Sequence, residues 1–299
     1  MAPKRPVVGV DIGATKIAVG TVTGVRVRNL TVRATPRETK KAVVRAVAEA
    51  VGVAVDGATP AAVGIGVPYG TIDLPFTGPD LLPLFRKEFG AGARLENDAN
   101  CAAFGEARAR RAKHLVMFTL GTGFGAGVVI DGQLFRGASG LGSEFGNTTI
   151  DYDHPDPVPG HDPGRLHDLV SGNGLAREAR QAAAADPSGY LAGLLARQGG
   201  ISAPDVTRAA RNGDVTARSI LTRFSTRLGA AIANAVNAFQ PKQLVVGGGL
   251  AVEADLYFDL AVQEAARRAM PALWKEVAVS VSRLEQAGVV GAAALASGK

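Results

Sequence analysis

Two glycine-rich turns, each set among short apolar strands, constrain the fold of this chain more than any other feature. The first turn, Asp11 to Lys16, follows an apolar run that begins at Val7 and precedes two more strand patterns. The second turn, Leu120 to Gly127, follows the apolar run from Leu115 and leads into a hairpin with a strong Asp131-Gly132 turn signal. The same order of strand, glycine turn and hairpin therefore occurs twice. This repetition predicts two related halves that face each other across a cleft.

The spacing of the elements predicts an α/β protein. Three neighbouring strand patterns leave no room for helical crossovers, so they predict an antiparallel meander of Val7 to Asp11, Ile17 to Val22 and Val25 to Val32. Thr35-Pro36-Arg37-Glu38 carries the signals of a helix start, and a buried strand is expected at Ala62 to Val67. Later in the chain we expect a long helix at Val215 to Phe239 and a strand at Leu244 to Val246. Three glycines, Gly247 to Gly249, follow the strand, and a last helix begins at Val289.

The length of the chain argues for two domains. A chain of 299 residues is too long for one small hydrophobic core. We expect a small N-terminal lobe of residues 1–112, completed by the C-terminal helix at about 288–299, and a larger lobe of residues 113–287. Each lobe should contain a mixed sheet.

Charge, cysteine content and hydropathy exclude several classes of protein. Lys and Arg number 33 against 27 Asp and Glu, a net charge of +6, but the basic residues are scattered without interleaved aromatic residues. Nucleic-acid binding is therefore not expected. No apolar run approaches the roughly 20 residues that span a bilayer, and no signal-peptide pattern is found. The single cysteine, Cys101, excludes an internal disulfide and a multi-cysteine zinc site. These observations fit a cytoplasmic protein without a membrane partner.

The first glycine turn has the chemistry of a phosphate-binding loop. Asp11, Gly13, Thr15 and Lys16 combine a carboxylate, exposed backbone N–H groups, a hydroxyl and a cation. Phosphate requires N–H donors and positive charge, and its magnesium ion requires a carboxylate or ordered water nearby. An ordinary hairpin turn remains the alternative for this segment.

The second glycine turn supports the same interpretation. Gly121, Thr122 and Gly123 begin a permissive dinucleotide fingerprint, but that fingerprint must open a helix, whereas these glycines lead into a hairpin. A Walker A sequence is also absent, so a second phosphate loop remains. The glycines at 247–249, between a strand and a helix, would let a nucleoside approach the backbone closely. A plain strand-to-helix turn is the alternative there.

Together with the segment Glu96 to Asn100, which reads ENDAN, these motifs resemble those of the ROK family of sugar kinases. This family is the bacterial glucokinase-like branch of the actin, hexokinase and Hsp70 superfamily. Asp11 to Lys16 matches its D-x-G-x-T-K loop, Leu120 to Gly127 its L-G-T-G-x-G-x-G loop, and Val245 to Leu250 its adenosine segment. The resemblance covers nearly the whole chain. It implies a two-lobed actin-like ATPase (ribonuclease H-like) fold with a central cleft, and ATP-dependent phosphorylation of a hexose 6-hydroxyl with Mg²⁺.

The resemblance also implies roles for individual residues. Asp98 would be the general base that takes the proton from the sugar hydroxyl, whereas by position alone it would be the N-cap of the following helix. Asp11 would hold Mg²⁺, through water. The ATP-binding residues would be Asp11, Gly13, Thr15, Lys16, Gly121, Thr122, Gly123, Gly247, Gly248 and Gly249. The sugar-binding residues would be Gly66, Asp80, Asn97, Asp98, Glu144, Asn147 and His167.

Several positions depart from the family pattern. The family's sugar-binding E-[FI]-G-H segment reads Glu144-Phe145-Gly146-Asn147 here, and the cysteines that hold its structural zinc are missing. His154 and His161 alone make a poor zinc site, so no zinc is expected. His167 replaces a sugar-binding glutamate, and Asp80 stands where relatives often have Asn. These three substitutions predict a substrate other than plain glucose. An extra carboxylate suits an ammonium group, so we expect an aminohexose such as kanosamine (3-amino-3-deoxyglucose), a sugar of antibiotic pathways.

Other functions stay open on the sequence alone. A glucokinase and an N-acylaminohexose kinase are the alternatives within the same chemistry, and polyphosphate is an alternative phosphoryl donor to ATP. A sugar-sensing regulatory protein is the non-enzymatic alternative. Family repressors carry an additional DNA-binding segment before the first phosphate loop, whereas ten residues precede Asp11 here, so a repressor is not expected. The resemblance further implies a homodimer.

Overall fold

The computed structural model describes residues 5–69, 77–154 and 163–298. The chain divides into two compact units. The first comprises residues 1–117, 127–137 and 283–299, and the second comprises residues 118–126 and 138–282. The division into lobes that the sequence suggests stays a prediction about folding domains. Residues 155–162, which include His161, lie outside the described residues.

The first unit contains a mixed five-stranded sheet in the order β3-β2-β1-β4-β5. Its strands are β1 (Val7–Ile12), β2 (Lys16–Thr23), β3 (Arg26–Ala34), β4 (Ala62–Val67) and β5 (Ala93–Asn97). Its helices are α1 (Lys40–Val55), α2 (Leu82–Phe89), α3 (Asp98–Arg110) and α11 (Ala287–Ala296). The predicted meander is confirmed, because β1 pairs antiparallel with β2 and β2 antiparallel with β3. Strand β4 then pairs parallel with both β1 and β5.

The predicted start of α1 is wrong by four residues. The helix begins at Lys40, and the hydroxyl of Thr39 accepts a hydrogen bond from the N–H of Ala42 as its cap. Thr35 is instead held against the first glycine turn, where its hydroxyl donates to Gly13 O at 2.8 Å and its N–H to Thr15 O at 3.0 Å. The apolar face of the helix is buried and includes Val43, Val44, Val47, Ala50 and Val51.

Glycines allow α11 to pack unusually close to its neighbours in the first unit. A Cβ atom added to Gly64 of β4 would lie 1.8 Å from the carbonyl oxygen of Ala292, and one added to Gly291 would lie 1.7 Å from that of Cys101. Backbone cannot move aside as a flexible side chain can. Larger residues at Gly64 and Gly291 would therefore separate α11 from both the sheet and α3.

The other mixed five-stranded sheet has the order β10-β9-β6-β7-β8. Its strands are β6 (Leu115–Leu120), β7 (Phe124–Ile130), β8 (Gln133–Leu134), β9 (Gln243–Gly247) and β10 (Ala278–Val281). The helices of the second unit are α4 (Leu166–Leu169), α5 (Gly172–Ala185), α6 (Tyr190–Gln198), α7 (Ala203–Arg211), α8 (Val215–Phe239), α9 (Phe258–Arg268) and α10 (Pro271–Trp274). The long helix has the predicted bounds. In the β7–β8 turn, Asp131 and Gly132 both have positive φ, as a two-residue hairpin turn requires.

The expected α/β class with two mixed sheets is confirmed. Short 3₁₀ helices at Gly78–Leu81, Phe145–Asn147 and Gly249–Leu256 connect the main elements. Among the described residues, no helix has the length and apolar character needed to cross a membrane.

Candidate active site

Two of the predicted site residues, Asp11 and Gly66, lie side by side with Glu96 at one edge of the first sheet. Asp11 of β1 is paired in register with Gly66 of β4, and Gly66 with Glu96 of β5. These three strands are parallel, and the residues stand at or next to their carboxyl ends. Ligands of open α/β sheets bind at this kind of edge. Asn97 and Asp98 follow Glu96 directly, so both continue from the same edge.

Asp11 carries a desolvated carboxylate. Burial raises its pKa from 3.8 to about 6, and the charge of Lys16 opposes that rise. The carboxylate packs against α11, since a Cβ atom on Gly288 would lie 2.6 Å from Asp11 Oδ2. The sequence did not indicate this role of Gly288. A buried carboxylate with limited compensation by positive charge suits a hard cation such as Mg²⁺, which prefers oxygen ligands.

The first glycine turn is held by residues that the sequence had suggested for a helix start. Gly13 donates its N–H to Lys16 O at 2.9 Å within the turn. The N–H of Thr35 donates to Thr15 O at 3.0 Å, in addition to the bond from its hydroxyl to Gly13 O. Arg37 donates to Ala14 O at 3.0 Å. Because three consecutive carbonyl groups are occupied in this way, the conformation of the turn is fixed from behind.

The N-cap of α3 is Asn97, so the helix does not need Asp98 for that purpose. Asn97 Oδ1 accepts a hydrogen bond from the N–H of Asn100 at 3.1 Å. Asp98 is the first residue of the helix, where the helix dipole stabilises a negative charge. Gly66 lies beside it, because a Cβ atom on Gly66 would be 3.5 Å from the Cα of Asp98. The interpretation of Asp98 as an N-cap is therefore wrong.

Glu96 joins the start of α3 to a distant part of the first unit. Its Oε1 accepts from the N–H of Asn97 and from Asn100 Nδ2, both at 3.0 Å. Its Oε2 accepts from Arg136 Nε at 2.7 Å. Glu96 and Asn100 are buried. The sequence did not indicate Arg136, which follows β8 and has no spacing that connects it to Glu96.

Asp80 lies in the 3₁₀ turn at Gly78–Leu81 and already has a cationic partner. Its Oδ2 accepts from the N–H of Thr77 at 3.3 Å and pairs with Lys40 Nζ at 3.0 Å. The bonds from Lys40 and Thr77 lower the pKa of Asp80. The turn lies next to the end of β4, because a Cβ atom on Gly78 would be 2.7 Å from Pro68 O.

The second glycine turn is held by the start of α5. Gly121 donates its N–H to Gly123 O at 3.0 Å, while Gly121 O and Thr122 O accept from the N–H groups of Gly172 and Asn173 at 2.8 and 3.2 Å. Gly248 also lies against this turn. It has a φ of 86°, and a Cβ atom there would be 2.4 Å from Leu120 O. The structure therefore brings the three-glycine segment and the second glycine turn together.

His167 lies directly on the second glycine turn. Its Nδ1 accepts a long hydrogen bond, 3.4 Å, from the N–H of Phe124. A Cβ atom on Gly123 would be 2.3 Å from His167 Cε1, so this glycine is required by the imidazole ring. When the ring is neutral, the bond to Nδ1 keeps its proton on Nε2. His167 can then donate to a ligand from Nε2.

Glu144, Asn147 and His167 form one cluster in the second unit. Asn147 Nδ2 donates to Glu144 Oε2 at 3.1 Å, and its Oδ1 accepts from Arg165 Nη1 at 3.1 Å. Desolvation of the carboxyl group raises the pKa of Glu144, although the residue as a whole is exposed; His167 and Asn147 oppose the rise. The sequence indicated the first three residues but not Arg165.

Residues 7–299 match the model of the ROK family. The chain belongs to the ROK family. It is 33% identical to the glucokinase of Streptomyces coelicolor, over 97% of this chain and 96% of that protein. It is 32% identical to the glucokinase of Thermotoga maritima, over 98% of each. The crystal structure of a ROK family glucokinase from Streptomyces griseus with glucose and AMPPNP superposes with a TM-score of 0.82 and 32% identity, over 98% of this chain and 100% of that one.

The sequence predicts that this chain lacks the structural zinc of its family. No group of three or more His, Cys, Asp or Glu residues suited to a metal ion occurs in the described part of the chain. His161 lies outside that part, so the expected absence of zinc stays a prediction. The segment around Asn147 is instead joined to the segment before α4 by hydrogen bonds, among them Leu166 N–H to Thr148 O at 3.0 Å.

Proposed function

We propose that this protein transfers a phosphoryl group from ATP to the 6-hydroxyl of a hexose, with Asp98 as the general base. An ATP-dependent hexose kinase is the activity that agrees with membership of the ROK family and with nearly full-length glucokinase relatives. The single observation that supports the role of Asp98 is its position. It opens α3 beside Gly66, while Asn97 makes the capping bond.

Asp98 would accept the proton of the attacking hydroxyl as the O–P bond forms. Phosphoryl transfer depends mainly on alignment and on stabilisation of charge, so a single positioned carboxylate is sufficient as the base. Asn97 would orient the sugar through its amide group. Glu96 would keep both residues in place, since it accepts from Asn97 N–H and Asn100.

The two glycine turns would hold the phosphates of ATP, and the segment at 247–249 its nucleoside. Backbone N–H groups, Thr15, Lys16 and Thr122 supply donors and charge of the kind that phosphate requires. Asp11 would hold Mg²⁺ through water. When bound, Mg²⁺ neutralises charge on the phosphate oxygens.

For the sugar, the finer proposal is an aminohexose such as kanosamine. Glu144 is the strongest candidate partner for an ammonium group. Asn147 holds its carboxylate in place through a hydrogen bond to Oε2, and the carboxyl group is desolvated. A charge-assisted bond in a desolvated place is stronger than a neutral one. Asn147 and His167 Nε2 would then donate to hydroxyl oxygens, and Asp80 would accept from the sugar.

Glucose is the second candidate, and one observation favours it. Lys40 lies 3.0 Å from Asp80 and neutralises much of the charge that an ammonium group would need there. A neutral hydroxyl is then the better partner for Asp80. A homodimer and a cytoplasmic location stay predictions from the family resemblance.

A substrate panel tests both levels of the proposal. Purified protein is incubated with Mg²⁺ and ATP or polyphosphate, and with glucose, glucosamine, mannosamine, N-acetylmannosamine or kanosamine. The values of kcat/KM are measured, and the phosphorylated position is identified by NMR. We expect transfer from ATP to the 6-position, with kanosamine preferred. A wide preference for glucose would contradict the amino-sugar proposal, and no transfer to any hexose would contradict the kinase proposal.

A further inference from the structure

Arg165, the residue before α4, joins two segments that lie 18 residues apart in sequence. Its Nη1 donates to Asn147 Oδ1 and its Nε to Asp168 Oδ2, both at 3.1 Å. The side chain is 16% exposed and that of Asp168 is 8% exposed, so the pair is shielded from water. Neither the sequence pattern nor the roles assigned above give Arg165 a function.

The backbone already joins these two segments without the side chain of Arg165. Ile150 N–H donates to Gly164 O at 2.9 Å, and Leu166 N–H donates to Thr148 O at 3.0 Å. Thr149 and Arg165 form an antiparallel bridge between these bonds. The side chain of Arg165 is therefore not needed to join the segments. Its contribution is the hydrogen bond to the amide group of Asn147.

The two neighbours of Asn147 leave its amide group with one orientation. A guanidinium group can only donate, and an ionised carboxylate can only accept. Arg165 therefore requires the amide oxygen on its side, and Glu144 requires the amide nitrogen on its side. A flipped amide would place N–H groups against Arg165 and an oxygen against Glu144. With Arg165 present, Asn147 has one N–H left to donate to a ligand.

The position of the guanidinium group is set by these acceptors. Arg165 Nη2 is buried and has no hydrogen-bond partner among the residues described. An unpaired buried donor costs about 1–3 kcal/mol. The side chain thus stays between Asn147 and Asp168 although one of its own N–H groups goes unpaired. Arg177 supports the same place from behind, since its Nη2 donates to Asp168 O at 2.8 Å.

We propose that Arg165 is a positioning residue that determines sugar specificity by fixing which polar atoms Asn147 and Glu144 present to the substrate. The proposal rests on the proposed function, because it concerns the sugar of that reaction. Without Arg165, Asn147 can rotate, and Glu144 loses a fixed donor. Discrimination between sugars that differ in the group facing this pair then falls, while ATP binding is unaffected.

The test compares Arg165→Met with Arg180→Met, a matched loss of charge on α5, where Arg180 Nη1 donates to Ile201 O at 3.4 Å. For both variants KM and kcat are measured with ATP and with the preferred sugar, together with kcat/KM for a second hexose. We expect Arg165→Met to raise the sugar KM about tenfold, which corresponds to the loss of about one hydrogen bond to the sugar. The KM for ATP should stay within about twofold, and the ratio of kcat/KM between the two sugars should fall at least about threefold.

An unchanged sugar KM in Arg165→Met would overturn the proposal, and so would an equal rise in both KM values, which indicates a general structural defect. An effect of the same size in Arg180→Met would overturn it as well.

If Arg165→Met does not fold, Arg165→Lys serves instead, since Lys keeps the charge but lacks the fork that reaches both acceptors. The same split between KM values is expected, with a smaller amplitude. A wild-type protein that phosphorylates no hexose would refute the proposed function, whereas an active wild type with an unaltered variant would refute only this inference.

Discussion

The segment around Asp98 and the cluster around Glu144 are organised in opposite ways. In the first, most hydrogen bonds join residues within four positions of each other, from Glu96 to Asn97 and Asn100 and from Asn97 to Asn100. In the second, the short bonds from Asn147 to Glu144 and from Arg165 to Asp168 are joined by bonds that span 18 residues between Asn147 and Arg165 and 43 between Phe124 and His167. The segment around Asp98, proposed to carry the base, is thus built mainly from one helix start, and the cluster around Glu144, proposed to bind the sugar, from separate loops. They are called the base side and the sugar side below.

This difference has a functional consequence. A helix start that caps itself keeps its geometry when distant residues change, which suits a base whose chemistry is the same for every hexose. A cluster of loops held by a few long-range bonds can be altered by single substitutions, which suits the recognition of different sugars. The largest exception on the base side is Arg136, which pairs with Glu96 from 40 residues away.

Loss of Glu96 should have the largest effect, because it removes the centre of the base-side network. We expect Glu96→Ala to cost about 2 kcal/mol of unfolding free energy, since it leaves buried donors unpaired while Arg136 is partly solvated. The kcat should fall about ten- to a hundredfold as Asp98 is displaced. Denaturant unfolding and steady-state kinetics measure both. Glu96→Gln is the control, because it keeps the acceptor for Asn97 and Asn100. Equal losses in the two variants would show that the pairing with Arg136 matters more than the local bonds.

On the sugar side, a methyl group at Gly123 should displace the ring of His167. The new Cβ atom would be 2.3 Å from Cε1, so the bond from Phe124 to Nδ1 must break. We expect Gly123→Ala to raise the KM for the sugar about tenfold, because His167 is displaced. In a double-mutant cycle, His167→Ala should relieve part of the defect of Gly123→Ala, with a coupling energy of about 1 kcal/mol. Additive effects would indicate that the phosphates, and not the ring, require this glycine.

Glu144 should make sugar binding depend on pH. Burial raises the pKa of its carboxyl group above 4.5, so its protonated form is favoured by folding. Stability from this group is present below its unfolded pKa and is lost as pH rises through the folded pKa. Sugar binding has the opposite trend, because the acceptor is lost as pH falls through the same value. We expect the sugar KM to rise by a few-fold towards acid pH, and Glu144→Gln to abolish that dependence. A dependence that persists in Glu144→Gln would assign it to another group.

The smallest expected effects come from the N-cap residues, and they separate the capping role of Asn97 from its proposed role in sugar binding. Asn97→Ala and Thr39→Ala each remove an N-cap and should each cost about 1 kcal/mol of unfolding free energy. Thr39 caps α1, outside the proposed site, so its variant should keep wild-type kinetics. Asn97→Ala should in addition raise the sugar KM. Asn97→Ser should restore stability but not the KM; full recovery of both would leave Asn97 only a structural role.

The sequence was a good guide where structure depends on neighbours along the chain. The meander of β1 to β3, the long helix α8 and the Asp131-Gly132 turn depend on spacing and local turn chemistry, and their positions were predictable. The wrong start of α1 has a tertiary cause. Thr35 and Pro36 have good local signals, but two hydrogen bonds hold Thr35 against the first glycine turn, and Thr39 offers an equally good cap.

The candidate site follows the same rule. Asp98, Asn97 and the two glycine turns are short contiguous motifs and could be identified from sequence. The roles of Arg136, Arg165 and Gly288 could not, because each acts on a residue far away in the chain and none belongs to a local pattern. The contact of His167 with Gly123 was likewise not predictable, since it joins two motifs that the sequence had interpreted separately, one for sugar and one for phosphate.

The central claim is that Asp98 is the base, and Asp98→Asn tests it most directly. Asn keeps the size of the side chain but cannot accept the proton. We expect kcat to fall about a thousandfold, while the dissociation constant of the sugar, measured by calorimetry, stays within about threefold of the wild type. Turnover within tenfold of the wild type, with sugar binding intact, would contradict the assignment and move the search for the base to another carboxylate.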